Sequence, residues 1–286
     1  MFKRPQQTSR GSRNYNRAPV TTYYRSKDPK SSRSPFVKKP KDHRRHYFAG
    51  AADALLILLL FALLIYSLLV SSSPAVTATS SAYHSIDDYT KQVAVSLGGV
   101  KNRNKITFDE NSVSGKIQSH FPEVQTVQIE LPFFSEQPRI KLVVSPPALK
   151  LTSNGQVYVV DADGVAVGLA RDLPNFAGLP TVNDQSGFEF SAGKQVLSSQ
   201  SVSFINTVVA QCVHAKVPIA SLTLPAKPQE MDLRTKDHSY YVKFYLGGDA
   251  NLQTGQLLAA RHQFAKTHQN PAQYLDVRVS GKIFYK

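Results

Sequence analysis

The sequence predicts an α+β protein carried on one membrane span. It reads as a disordered N-terminal tail, a single transmembrane helix, a small αβ domain and a mixed, largely antiparallel β domain with two packed helices. Three observations predict this. Residues 54–70 are an apolar run without a charge. The 47 residues before it hold 14 Lys and Arg against Asp28 and Asp42, a net +12 of the chain's +14, which leaves +2 for everything after residue 47. The long, near-neutral remainder alternates strand-like and helix-like periods, as an α+β fold does.

Residues 1–47 are rich in Ser, Pro, Arg, Lys and Tyr and hold few aliphatic residues, so they bury too little apolar surface to offset the entropy of ordering. Tyr15, Tyr23 and Tyr24 among basic residues offer stacking platforms for single-stranded nucleic acid. We favour instead a topology determinant that lies on anionic lipid, and expect no nucleic acid. His43 and His46 have a metal-like spacing, but Arg44 and Arg45 would repel a cation and no carboxylate or Cys completes a site.

Residues 48–70 are long enough to cross a hydrocarbon core of roughly 30 Å as a helix. The basic flank keeps the N-terminus cytoplasmic and puts the rest outside, at the plasma membrane. A cleaved signal peptide fits less well, because the basic region is too long and residues 76–78 are a poor cleavage site. Asp53 reads as a side chain reaching the cytoplasmic headgroups rather than as a functional intramembrane carboxylate. Residues 71–84, rich in Ser, Thr and Ala, read as a flexible spacer.

The first folded unit spans residues 85–145. Residues 86–97 suit either a helix or a strand. Thr107 and Glu110 have the spacing of a capping box opening a helix to about His120, with Val113, Ile117 and Phe121 on one side and Phe121-Pro122 as its stop. Strands follow at Val124, Val127 and Ile129 and at residues 140–144, joined by a loop over 131–138.

Pro146-Pro147 marks a boundary, and residues 146–286 read as the β domain. A strand through Leu149 and Leu151 turns at Asn154-Gly155 into a strand over 156–160, and Asp163-Gly164 turns into another. A helix follows, with Val202, Ile205, Val208, Val209, Cys212 and Val213 at helical spacing. Cys212, the chain's single cysteine, lies on that stripe as a small core hydrophobe, and no intrachain disulfide is possible. Strands at 219–224 and 239–246 and a helix near 253–268 lead to a last strand over 273–285. There Leu275, Val277, Val279, Ile283 and Tyr285 share one face, and Tyr274, Asp276, Arg278, Ser280 and Lys282 the other. A terminal strand often lies at a sheet edge, where its unpaired backbone can take a partner strand or be guarded by residues such as Lys282 and Lys286.

The sequence offers few candidates for a catalytic site. Ser191 and Lys194 match the Ser-x-x-Lys spacing of penicillin-binding enzymes, but the companion motifs are absent and Lys266-Thr267-His268 lacks the needed Gly. Gly247-Gly248 between a strand and a helix suits a turn better than a phosphate site. The remaining histidines (His84, His120, His214, His238, His262 and His268) form no metal-ligand pattern. We expect no enzyme, no metal and no cofactor, and read the part outside the membrane as a binding module. The alternatives are a membrane-anchored cell-wall enzyme using Ser191 and Lys194, and a tethered nucleic-acid binder using the tail.

Several segments resemble the FtsQ/DivIB family of bacterial cell-division proteins. Phe121-Pro122-Glu123-Val124-Gln125-Thr126-Val127-Gln128-Ile129 and Pro138-Arg139-Ile140-Lys141-Leu142-Val143-Val144 resemble that family's helix end and paired strands. Val159-Val160-Asp161-Ala162-Asp163-Gly164 is similar to the segment opening its β domain, and Leu179-Pro180 to the pair before its first β-domain helix. Tyr274-Leu275-Asp276-Val277-Arg278, Gly281 and Phe284-Tyr285 resemble its final strand. Ser145 stands where the family usually has Glu, and residues 85–105 match poorly. The resemblance spans residues 40–286 and implies a POTRA domain over 85–145, a β domain over 146–286, and a non-enzymatic scaffold at the division septum. It implies binding of FtsB/DivIC-like and FtsL-like single-span proteins by strand addition at the last strand, control of septal peptidoglycan synthesis, and further division partners at the POTRA domain. The residues it points to for the partner are Tyr274, Asp276, Arg278, Ser280, Gly281, Lys282 and Phe284, with Arg278 as the expected grip on a partner carboxylate.

Overall fold

A computed structural model describes residues 43–174 and 176–286. The expectations for the tail, including Tyr15, Tyr23 and Tyr24 and the side chains of His43 and His46, lie outside the described residues. The chain divides into two compact units, Met1–Asp53 and Ala54–Lys286, and the second holds both sheets. The described residues form an α+β structure with five α-helices.

Helix α1 (His43–Ser67) carries the apolar run. Its segment Gly50–Leu68, with a mean hydropathy of 2.4 and no residue buried, is long and apolar enough to cross a membrane. The chain leaves it without slack. The Val70 amide donates to the Arg103 carbonyl at 2.9 Å, the Lys105 amide to the Leu68 carbonyl at 2.9 Å, and the Ser71 amide to the Glu136 carbonyl at 2.7 Å.

The first lobe has the order β-α-α-β-β: β1 (Ala75–Ala78), α2 (Ile86–Ser96), α3 (Glu110–His120), β2 (Val124–Glu130) and β3 (Arg139–Val144). Its sheet runs β1-β3-β2, with β1 parallel to β3 and β2 antiparallel to it. Strand β1 corrects the expected spacer, since Ala75 to Ala78 pair with Arg139 to Leu142. A four-residue edge strand of Ala, Val and Thr gives too little alternation to be read from sequence. Residues 86–97 resolve as helix, because Tyr89, Val93 and Leu97 meet the core at spacings of four. The Ser85 hydroxyl caps this helix by accepting from the Asp88 amide. The expected capping box at Thr107 is corrected: Asp109 caps α3 by accepting from the Ser112 amide, while the Thr107 hydroxyl donates to the Lys101 carbonyl.

The second lobe holds a nine-stranded mixed sheet in the order β12-β11-β10-β9-β8-β7-β4-β5-β6. In chain order these are β4 (Pro147–Ser153), β5 (Gln156–Asp161), β6 (Ala166–Leu169), β7 (Thr181–Asp184), β8 (Ile219–Leu224), β9 (Glu230–Thr235), β10 (Tyr241–Tyr245), β11 (Tyr274–Asp276) and β12 (Phe284–Tyr285). Asn154 (φ 50°) and Gly155 (φ 76°) make the expected two-residue turn between β4 and β5. Helix α4 (Ser199–His214) falls between β7 and β8, and α5 (Ala250–Thr267) between β10 and β11.

The register sorts this sheet into rows. Leu151, Val182, Leu222, Leu233, Val242 and Leu275 are successive neighbours across six strands, and all are buried against α4 and α5. The next row, Thr152, Asn183, Thr223, Asp232, Lys243 and Asp276, is polar throughout and none of it is buried. The period of two therefore gives one face to the core and the other to solvent. On α4, Val202, Ile205, Val208 and Cys212 are buried as expected, Phe204 joins them, and Val213 is corrected to an exposed position. Burial raises the Cys212 thiol pKa to about 11, as suits a core residue.

Two corrections concern boundaries. Pro146 and Pro147 separate the lobes along the chain but not in the core. Val159 of β5 and Val167 of β6 pack with the first lobe, and Phe176 meets Tyr83 edge-on at 5.6 Å. The expected long last strand is broken into β11 and β12. Gly281 (φ 70°) and the Lys282 amide donating to the Val279 carbonyl fold the chain back, so the two pieces pair antiparallel. Leu275 and Val277 stay on the core face, and so does Tyr285, which is opposite Leu275 and sets its ring edge-on to Phe264 at 5.2 Å although the sheet edge leaves it exposed; Val279, in the turn, is exposed.

Candidate functional site

The polar row ends in a charged network at the β9-β10-β11 side of the sheet. Register sets Lys243 between Asp232 and Asp276. The Arg278 guanidinium donates to both Asp276 oxygens at 2.9 and 2.6 Å and to Glu230 Oε2 at 2.5 Å. Lys243 reaches the other Glu230 oxygen at 3.6 Å, and its ammonium lies 5.5 Å from the Tyr241 ring and 5.1 Å from the Tyr274 ring. Glu230 is buried, so two cations hold one desolvated carboxylate.

The titration directions follow from these contacts. Burial pushes the Asp276 carboxyl up, but its Arg278 hydrogen bonds outweigh this and hold it below the usual range. Asp232 goes the other way: burial and then the Glu230 charge raise it above the usual range, against the pull of Lys243. Burial works against the Lys243 ammonium, yet Glu230, Tyr241 and Asp232 together outweigh that and raise its pKa. The Asp276 hydrogen bond raises Arg278 further.

This network changes the role expected of Arg278. Three of its five N–H donors are engaged within the chain, so a substitution there acts on stability as well as on any partner contact. Tyr274 and Asp276 lie on the polar face in β11. Ser280, Gly281 and Lys282 form an exposed turn, which Gln256 of α5 holds by donating to the Val279 and Lys282 carbonyls, each at 2.9 Å. Phe284 lies in β12 and is exposed. The structure thus gathers the seven residues at one end of the sheet but divides them among a strand, a turn and an edge. Sequence reasoning missed Glu230, Asp232 and Lys243. The alternation of Met231 and Leu233 with Asp232 and Arg234 was the available signal for β9.

At that end the backbone is open. Tyr274 and Lys286 exchange both amide-to-carbonyl bonds, at 3.1 and 3.3 Å. Alternation along an antiparallel ladder then turns the Tyr285 N–H and C=O away from β11. Among the described residues no strand pairs with that outer side. The opposite edge is covered at its first residue: the Ala166 amide of β6 donates to the Lys194 carbonyl at 2.9 Å, and the Gly193 amide to the Ala166 carbonyl at 2.7 Å.

The other candidates resolve locally. Ser191 and Lys194 lie on this exposed covering turn, where the Lys194 amide donates to the Ser191 carbonyl at 3.3 Å. Gly247 and Gly248 form a turn, with the Gly248 amide donating to the Tyr245 carbonyl at 3.0 Å. The N-terminus of α5 beyond it is capped by the Asp249 carboxylate, which accepts from the Asn251 and Leu252 amides. Among the described residues no group of three or more His, Cys, Asp or Glu side chains is arranged to hold a metal. Compared with known proteins, the chain matches no family model and no curated protein.

Proposed function

We propose that this chain is a membrane-anchored, non-catalytic scaffold that takes a strand from a partner protein at the outer side of β12. The observation that carries the reading is the unequal treatment of the two sheet edges: the chain itself bonds to β6 at Ala166, whereas β12 offers the Tyr285 amide and carbonyl beside exposed Phe284. An uncovered edge is a template for another strand. The polar face beside it adds charged and aromatic groups for selectivity.

The finer identity rests on the resemblance to FtsQ/DivIB proteins. On that reading the β-α-α-β-β lobe is a POTRA domain and the basic tail keeps the N-terminus in the cytoplasm. The partner strand comes from an FtsB/DivIC-like protein acting with an FtsL-like one, and the complex helps control septal peptidoglycan synthesis.

The test is titration calorimetry of the full chain in nanodiscs against the extracytoplasmic part of an FtsB/DivIC-like protein from the same genome. Tyr285→Pro removes one outward donor without removing a bond to β11. We expect saturable binding by the parent chain and at least about tenfold weaker binding by the variant, both compared at a temperature where each is folded, because the substitution also removes the Tyr285 ring from Phe264. Equal binding by both would refute strand addition at β12. No binding by a folded parent chain would refute the assigned partner.

A further inference from the structure

Part of the exposed apolar surface of the first lobe lies where it meets α1. The connection between β2 and β3 carries Phe133 and Phe134, 60% and 93% exposed, their rings 5.2 Å apart and edge-on. The neighbouring loop adds Ile106, 75% exposed. Two adjacent phenyl rings on a surface turn are costly in water, and burying them is favoured.

Their position says where they would be buried. Phe133, Phe134 and Ser135 line a groove of ≈ 390 Å³ together with Leu60, Leu63, Leu64, Tyr66 and Ser67 of α1. The loop is fastened there. The Ser67 hydroxyl donates to the Phe133 carbonyl at 3.0 Å, and the Lys105 ammonium donates to the carbonyls of Ser67, Pro132, Phe133 and Ser135 at 2.5, 2.6, 3.2 and 3.0 Å. Lys105 therefore ties a terminal helix carbonyl to the loop carbonyls, its three N–H donors shared among four acceptors, with its charge at the end of the helix that favours a cation.

Helical rise fixes the depth. At about 1.5 Å per residue, Leu60 lies roughly 10 Å along the axis before Ser67. The 19 residues Gly50–Leu68 just match a hydrocarbon core of roughly 30 Å, so the last two turns of α1 lie within it. Rings that flank Leu60, Leu63 and Leu64 share that layer.

We propose that residues 131–138 are a second membrane contact, with Phe133 and Phe134 inserted among the acyl chains of the extracytoplasmic leaflet beside α1. Lys105 is the clasp that sets their depth. The contact fixes the orientation of the first lobe on the bilayer rather than letting it swing on a tether. It rests on the reading of α1 as a span.

The chain contains no tryptophan, so one introduced Trp reports alone. Full-length Phe134→Trp, Leu60→Trp and Phe188→Trp would be reconstituted separately in phosphatidylcholine/phosphatidylglycerol vesicles with brominated acyl chains. Phe188 is the water-exposed comparator on the second lobe, 71% exposed. We expect blue-shifted emission and bromine quenching for Leu60→Trp and Phe134→Trp, and neither for Phe188→Trp. Adding Lys105→Ala to Phe134→Trp should red-shift its emission and reduce the quenching. Quenching at Leu60→Trp, with Phe134→Trp reached by aqueous acrylamide and not by bromine, would overturn the insertion while leaving the span intact, and the groove would then suit a helix from another protein. Absence of bromine quenching at Leu60→Trp would overturn the span and the insertion with it.

Discussion

The two edges of the nine-stranded sheet are finished in opposite ways. At β6, residues 193–196 fold over the strand and bond to its backbone, and the buried Asp161 beside it is satisfied by the Asp163 and Val165 amides at 3.0 and 2.9 Å. At β12 the last two-residue strand has its inner side paired, while charges are satisfied by side chains: Arg278 on Asp276 and Glu230. Backbone closure is rigid and local. Side-chain closure leaves strand geometry available and keeps charge near the surface. The difference marks one edge as self-sufficient and the other as suited to a partner.

Breaking the open edge from inside should have the largest effect. Val277 is fully buried where β11 leaves the sheet. Val277→Asp places an unpaired carboxylate in the core and should cost about 4 kcal/mol or more, visible as loss of the cooperative thermal transition. A smaller, paired comparison uses one substitution at both edges. Gly164 (φ 86°) lies against the Leu197 carbonyl, which an added Cβ would overlap, whereas Gly281 (φ 70°) has open space around it. Gly164→Ala should cost about 2–4 kcal/mol, and Gly281→Ala only the backbone strain of about 1–2 kcal/mol, measured by denaturant unfolding. Equal losses would mean that the covering segment does not seal β6.

The contrast between edges was only partly legible in the sequence. The β4–β5 turn, the α4 stripe through Cys212 and the strands β2, β3, β5 and β8 carry local signals, and each is found where periodicity puts it. Strands β1 and β7 were missed because four residues paired with distant partners carry little pattern of their own, whereas β9 was missed despite the alternation of Met231 and Leu233 with Asp232 and Arg234. The break between β11 and β12 was hidden because alternation from Leu275 to Tyr285 continues unbroken through Gly281, whose positive φ turns the chain. At the candidate site, alternation picked out Tyr274, Asp276 and Arg278. Their partner Glu230 lies 48 residues from Arg278, and only the register of β9 and β10 brings it there.

Removing the clamp of the open edge should have an intermediate effect. Arg278→Ala leaves the buried Glu230 with Lys243 as its remaining cation and should cost about 1–3 kcal/mol at pH 7. Its acid response gives the sign. Asp276 has a folded pKa below its unfolded value, so its contribution is full above about pH 4 and is lost as pH falls through the folded pKa. Thermal melts between pH 7 and 2 should therefore show a smaller acid-dependent loss in Arg278→Ala than in the parent chain. Parallel curves would mean that the Asp276–Arg278 contact contributes nothing in solution.

The smallest effect, and the one of opposite sign, belongs to Asp232. It shares the polar row with Asp276, yet burial and the Glu230 charge raise its pKa. A carboxyl whose folded pKa exceeds its unfolded value holds its proton more tightly when folded, so its contribution is most favourable at low pH and declines as pH rises through the folded pKa. Asp232→Asn removes that late-ionising charge. It should raise the melting temperature at pH 7 by about 1–2 °C and give a smaller gain near pH 4, where more of the parent carboxyl holds its proton than at pH 7. Lys243 works against this result, because the substitution also removes an anion beside it in the register. A lower melting temperature at pH 7 would therefore show that the Lys243 attraction outweighs desolvation at this position. The polar row would then be held together by charge pairing throughout, and Asp232 would belong with Asp276 rather than in contrast to it.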